Sequence, residues 1–385
     1  MSPRHIDRKG ESMDRREFLT KSGVAAAAGV GVATGASRVS AAGRRVDLSD
    51  LPDIEWEMPT SWPLNLDTIF GGAEVFAEEV GRLTGGKFVI TPRAGGELVP
   101  GLEILPTVES AAYPAGHTAS YYYTGLAEFT AFGTALPFGL TARQHNAWMY
   151  EGGGLELLQE LYAERFGVIQ FPAGNTGCQM GGWFNREIRS VADLSGLKMR
   201  IPGLGGRVME RLGVAVQQIA GGEIFQALQT GAIDAAEWVG PYDDVNLGFP
   251  EVAEFYYYPG WWEAGPALEV QINKADYDDL PEHYQNAIQA AAFKANTIMM
   301  ARYDSFNADA LTELEANERI QILPYPDDVM AAAHEASREL YDELVSSDDD
   351  FARVFESWDA FRVGQARWFG IAEASIINFA AQNEG

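Results

Sequence analysis

Cysteine is nearly absent. The chain has one, Cys178, so no intramolecular disulfide framework is open to it. Long apolar runs are missing too, with no stretch of 18 or more strongly apolar residues to suggest a retained membrane span. Basic charge is scarce: 28 Lys and Arg stand against 55 Asp and Glu, a formal charge of −27. That balance argues against nucleic acid and anionic membranes as partners. The acids are scattered, which reads as a solvated surface suited to a salty habitat, with metal scavenging as the lesser alternative. Common catalytic signatures are also lacking. Among His5, His117, His145, His283 and His334, no two have metal-ligand spacing such as H-x-x-x-H, and no G-x-S-x-G elbow occurs. The glycines of Gly203–Gly206 lack a P-loop lysine and dinucleotide-fingerprint spacing, so they read as a turn and helix start. Cys178 has no histidine near it in sequence, which favours a small buried thiol over a nucleophile.

A length of 385 residues exceeds one ordinary core and suggests two lobes, and an apolar share of 46% is ample to fill them. The N-terminus reads as a targeting segment. Starting at Met13 it carries Arg15-Arg16, Phe18-Leu19 and Lys21, then a weakly apolar Ala/Gly/Val run ending in the small-residue site Val39-Ser40-Ala41. This resembles a twin-arginine export signal over 1–41. Those residues hold seven Lys/Arg and four Asp/Glu, so cleavage after Ala41 takes the formal charge to −30. No cysteine lies near the leader to carry a lipid, and a released extracytoplasmic protein is expected.

Beyond about Asp53, strand and helix patterns alternate. Residues 54–62 read as a strand, 67–86 as a helix closed by Gly85-Gly86, 87–96 as a strand and turn, 98–112 as a helix, and 118–126 as a strand running into a loop. This alternation argues for an α/β lobe with partly parallel strands. Residues 143–167 read as helical, FGVIQFPA and KMRIP as strands, and 256–274 as a strand with an aromatic loop. From Leu280 the pattern is mostly helical, interrupted by RIQILPYP.

Binding residues stand out more than catalytic ones. GNTGCQMGGWFN sets one amide, Gln179, among glycines that permit unusual dihedrals and close approach. Alternation in KMRIP faces Lys198 and Arg200 to one side, and a partly withdrawn arginine suits a carboxylate; a surface arginine paired with a nearby acid fits the spacing equally well. AIDAAEWVG puts Glu237 and Trp238 at a strand end, where α/β lobes bind ligands, or equally a rim carboxylate and a packed indole. Gln179, Glu237 and a backbone carbonyl together would offer oxygen donors only, which suit a hard cation. The clusters Tyr121-Tyr122-Tyr123 and Tyr256-Tyr257-Tyr258 with Trp261-Trp262-Glu263 read mainly as core, some members being free to wall a pocket.

Taken together, SVADLSGLKMRIPG and GGEIFQALQTGAIDAAEW resemble the extracytoplasmic solute-binding proteins of TRAP (tripartite ATP-independent periplasmic) transporters, from about Asp53 to the end. The resemblance implies an α/β, two-lobed periplasmic-binding-protein-like fold with a ligand cleft between lobes, hinge strands and long C-terminal helices. It implies lobe I from 47–172 with about 239–275, lobe II from 173–238 with part of 276–340, and a C-terminal helical segment, 341–385, available for homodimerisation. Its conserved-pattern arginine, the carboxylate clamp, falls on Arg200. GNTGCQMGGWF, AAEWVGPYDD and YYYPGWWE further resemble the branch that binds 2-oxo acids or lactate with a metal ion. There the metal ligands fall on Gln179, Glu237 and the Trp238 carbonyl, the cation being sodium or calcium. Glu263, Tyr122 and Asn175 would complete the substrate wall with Arg200, Gln179 and Trp238. Small and large TRAP membrane subunits are the implied partners, and periplasmic capture without catalysis the implied role. A binding protein for a larger sugar acid or aromatic acid, or a secreted carbohydrate-active enzyme using Glu237 and Glu263, are the alternatives.

Overall fold

The computed structural model describes residues 47–384, so the export signal expected over 1–41 lies outside the described residues. The first strand, β1 (Ile54–Pro59), pairs in parallel with β2 (Phe88–Arg93), joined by the helix Ile69–Leu83. That helix buries Phe70, Ala73, Phe76 and Val80 at helical spacing, and burial of each large side chain contributes roughly 1.5–3 kcal/mol. Next, β3 (Ala115–Thr118) and β4 (Val168–Asn175) flank β10 (Ala267–Asn273) in a three-stranded antiparallel sheet. All seven residues of β10 are buried, which accounts for its near-continuous concealment from the alternation rule.

A second sheet holds six strands in the order β11 (Gln321–Pro324), β9 (Phe255–Tyr258), β5 (Trp183–Phe184), β8 (Ala235–Ala236), β6 (Lys198–Arg200) and β7 (Ala215–Gln217). Its β6 pairs in parallel with both β7 and β8, while β5 runs antiparallel to β8 and β9. The β1–β2 pair joins the three-stranded sheet through the Thr60–His117 bridge, and that assembly and the six-stranded sheet are the two frames of a two-lobed α/β fold. The 34-residue helix Glu282–Glu315 runs from the first frame toward β11 of the second. Helices Asp327–Ser347, Asp349–Ile371 and Glu373–Glu384 follow. Among the described residues no helix is long and apolar enough to cross a membrane.

Three expectations need correction. Ser120–Tyr123 is a 3-10 helix, not a strand, so the three tyrosines do not alternate and all are buried. Lys198 and Arg200 share a strand but not an environment: Lys198 is exposed and Arg200 is 1% exposed. The span 239–275 does not lie wholly with the first sheet, because β9 pairs with β5 and β11 of the second. Pairing partners distant in sequence decide that assignment, and periodicity carries no trace of them.

The chain crosses between the sheets twice through short segments, from β4 to β5 and from β9 to β10. These crossings run side by side. Gln179 N–H donates to Glu263 O (3.1 Å), Gly260 N–H to Gln179 O (3.0 Å) and Thr176 N–H to Pro266 O (3.1 Å). Gln179 and Glu263 thus sit on adjoining parts of one hinge ribbon.

Candidate functional site

Arg200 ends β6 with its guanidinium fully enclosed. Its Nε donates to Ile219 O (3.0 Å) and Nη1 to Glu237 O (3.1 Å), and Nη1 also pairs with Glu237 Oε1. The Trp238 ring lies beneath, 5.3 Å from the guanidinium carbon. Nη2 is buried without a hydrogen-bond partner. Glu237 follows β8 and is wholly buried; its Oε2 is also unpartnered. Gln179 donates through Nε2 to Thr176 Oγ1 (3.2 Å), leaving its buried Oε1 unpartnered. Each orphaned buried polar atom costs about 1–3 kcal/mol unless something satisfies it.

Arg200, Gln179 and Trp238 meet at one cavity of about 10 Å³, lined also by Trp62, Tyr121, Tyr122 and Glu263; Glu237, paired with Arg200, is not on its wall. Such a space fits about one water-sized sphere. Tyr121 O–H faces Glu263 Oε2 at 3.4 Å. Burial, and next the charge of Glu237, push the Glu263 carboxyl well above the usual carboxylate range. Burial raises Glu237 as well, against the opposing pull of Arg200. Trp62 is pinned through its indole N–H, which donates to His117 Nδ1 (2.7 Å), and His117 Nε2 faces Ala173 O (3.2 Å). Burial pushes that imidazole down to about 4, so the ring stays neutral.

Glycine geometry answers why Gln179 sits in a glycine-rich stretch. Gly182 has φ +83°, and a Cβ there would lie 2.9 Å from Ala236 O and 3.3 Å from Glu237 Cβ. Its absence lets the first crossing lie directly against the Glu237 strand end. Gly177, at φ +72°, turns the chain just before Cys178.

The structure brings together Gln179, Arg200, Glu237, Trp238, Glu263 and Tyr122. It does not put Asn175 on the cavity wall. That amide is spent on backbone, Nδ2 donating to Gly265 O (3.2 Å) and Oδ1 accepting from Gly177 N–H (2.8 Å), so Asn175 shapes the loop. Cys178 is exposed, against the expectation of a buried thiol. Trp62 and Thr176 were not singled out by sequence reasoning, and Tyr121 was named only as a member of its tyrosine cluster. Thr176 stands inside the glycine-rich stretch, three residues from Gln179, while nothing in the sequence around Trp62 distinguishes it from core.

The donor set fits a hard cation. Gln179 Oε1 and Glu237 Oε2 are free, and among the described residues no hydrogen bond ends on the Trp238 carbonyl. No group of three or more His, Cys, Asp or Glu able to hold a metal occurs among the described residues, so neutral oxygens have to complete any coordination here.

The profile of the bacterial extracellular solute-binding protein family 7 matches residues 60–348. The chain belongs to that family. It is a solute-binding protein and not an enzyme, which removes the carbohydrate-active alternative. A monocarboxylate 2-oxoacid-binding periplasmic protein of Nostoc sp. is 49% identical over 372 residues, 97% of this chain and 100% of the relative. A TRAP transporter solute-binding protein from Bordetella bronchiseptica is 44% identical with a TM-score of 0.84, covering 86% of this chain and 98% of its own. It was solved as a mixed-occupancy dimer, one active site holding co-purified calcium and picolinate and the other apo. A third, from Pseudoalteromonas atlantica, holds sodium and pyruvate; it is 36% identical with a TM-score of 0.81, covering 85% of this chain and 99% of its own. Members of this TRAP type work in the periplasm.

Proposed function

We propose that this family 7 protein captures a small 2-oxo or 2-hydroxy monocarboxylate together with sodium or calcium and delivers it to the small and large TRAP membrane subunits. The observation that carries this reading is a free guanidinium N–H on Arg200 and a free oxygen on Gln179 at one cavity, with a further free oxygen on Glu237, the carboxyl paired to that guanidinium. Arg200 Nη2 is the donor for the ligand carboxylate, and the planar fork of arginine suits that group. The cation would be held by Gln179, Glu237 and the Trp238 carbonyl. When bound, it supplies positive charge and an attachment for the acid's carboxylate and 2-oxygen. Charge balance supports it: the one guanidinium is already paired with the buried Glu237 carboxyl, so an incoming anion needs a further positive partner. Tyr121, Tyr122 and Trp62 wall the opposite side. A space of about 10 Å³ holds one water-sized sphere and no acid, so the lobes must part for loading. The export signal over 1–41 is read as a twin-arginine leader, and the apolar Glu373–Glu384 helix as the seat of a homodimer.

The test is calorimetric titration of chelator-stripped mature protein with pyruvate and with lactate, each with sodium, with calcium and with neither. Binding is expected to require one cation. Arg200→Lys keeps the charge but loses the fork and should weaken the acid by about 100-fold, roughly 3 kcal/mol. Binding indifferent to cations would sink the metal reading, and an unchanged Arg200→Lys would remove the clamp.

A further inference from the structure

Four residues past Val239 the chain carries a carboxylate that the site description leaves unused. Asp243 lies on the short helix Pro241–Asn246 and is fully buried. It accepts three hydrogen bonds from three separate parts of the fold. Trp238 Nε1 donates to Oδ2 (3.2 Å), Tyr303 O–H to Oδ2 (2.7 Å) and Thr68 O–H to Oδ1 (2.5 Å). Trp238 follows β8 of the six-stranded sheet. Tyr303 belongs to the long Glu282–Glu315 helix. Thr68 stands at the start of the Ile69–Leu83 helix, in the other lobe.

The Thr68 contact departs from what its position would ordinarily do. Thr68 occupies the N-cap position, where a threonine hydroxyl usually accepts a hydrogen bond from the helix's own first turn. Here it makes no cap bond, and the hydroxyl is turned to Asp243 instead. The contact is one of a row between the same two segments. Asn65 Nδ2 donates to Asn246 O (3.1 Å), and Tyr242 O–H donates to the Asp67 carboxylate (3.0 Å). One face of the Pro241–Asn246 helix therefore docks on residues 65–68 across the cleft, five residues after Trp238 supplies its carbonyl to the candidate cation site.

A buried carboxylate satisfied by three donors is an ordinary way to fill a polar core, and that is the bland reading of Asp243. Two facts set it apart. One donor is the side chain of Trp238, whose main-chain oxygen is a proposed cation ligand, and another, Thr68, comes from the opposite lobe. We propose that Asp243 is a positioning residue: it holds the Trp238 carbonyl in place for the cation and, through Thr68, ties that donor to closure of the lobes. This rests on the cation site proposed above. Hydrogen-bond partners that orient metal ligands typically cost 10–100-fold in metal affinity when removed.

The experiment uses the mature protein stripped with chelator, titrated with calcium chloride alone and then with pyruvate at saturating calcium. Wild type comes first: no calcium dependence there fails the cation site itself, separately from the role of Asp243. With that dependence in hand, Asp243→Asn should weaken calcium about 10–100-fold in the absence of acid. It should leave the melting temperature in chelator close to wild type while shrinking the rise that calcium produces. A purely structural role would lower the melting temperature in chelator and leave calcium affinity alone. Thr68→Val removes only the cross-cleft hydrogen bond; it should keep calcium affinity within about twofold and weaken pyruvate at saturating calcium about fivefold or more, for a bond to a charged group. Wild-type calcium affinity in Asp243→Asn overturns the proposal. If that variant does not fold, wild-type pyruvate affinity in Thr68→Val overturns it.

Discussion

Glu269 lies outside the candidate site and is as deeply buried as anything within it. Its Oε1 accepts from Gln271 Nε2 (2.7 Å) and Tyr162 O–H (2.9 Å), while Oε2 has no partner. Burial raises its carboxyl to about 7. The unfolded chain ionises near the ordinary value of 4.5, so between that pH and 7 the folded state keeps a proton the unfolded state has released. Stability is then whole at low pH and declines as pH climbs through this window, by about 3 kcal/mol in all. Asn and Gln do not titrate, so Glu269→Gln should gain about 3 kcal/mol on wild type between pH 4.5 and pH 8, whatever its constant offset. Urea unfolding of both proteins at the two pH values reads that difference, and parallel pH profiles would show that Glu269 does not titrate in the window. Such residues are hard to find in sequence. Arg200 and Glu237 were legible because each ends a strand in a patterned segment, whereas Glu269 reads as a polar break in a strand, with no mark of its depth. Asn175 misled for the opposite reason: its neighbourhood resembled a wall, but its amide completes a turn.

At the level of elements, legibility followed locality. The helix Ile69–Leu83 and strands β1, β2 and β4 come from periodicity within short windows, and their places could be read to within a few residues. Ser120–Tyr123 could not, because three successive tyrosines favour strand by composition while packing against Trp62 and the Phe129–Thr134 segment makes a tight turn there. The sheet assignment of β9 depended on partners some 70 residues away on either side. The C-terminal helices carry a different kind of signal. Trp368, Ile371, Ile376, Ile377 and Phe379 are all more than half exposed, more apolar surface than one chain ordinarily leaves uncovered. With the proposed homodimer seated there, deleting residues 372–385 should convert a dimer to a monomer in light scattering while preserving pyruvate affinity. A full-length chain that is already monomeric at micromolar concentration would refute that assignment.

For the molecule as a whole, charge is the dominant feature. A formal −27 leaves many like charges close together on the surface, and their repulsion weakens the compact state. Raising potassium chloride from about 0.01 M to about 1 M shortens the screening length from about 30 Å to about 3 Å. With chelator present throughout, the melting temperature should climb by several degrees over that range; a flat or falling curve would mean that the acids are already neutralised by their neighbours.

The paired crossings give the whole assembly a fulcrum. Met180 N–H donates to Val239 O (3.0 Å), which fastens the segment carrying Gln179 to the segment carrying Glu237 and Trp238. All three candidate cation oxygens therefore ride on a single plate at the pivot, where rotation of the lobes displaces atoms least. Tyr121, Tyr122 and Trp62 ride on the far arm and travel with it. On the cation site proposed above, an ion would take its seat while the jaws stand apart, and the acid, arriving second, would meet a charge already in place.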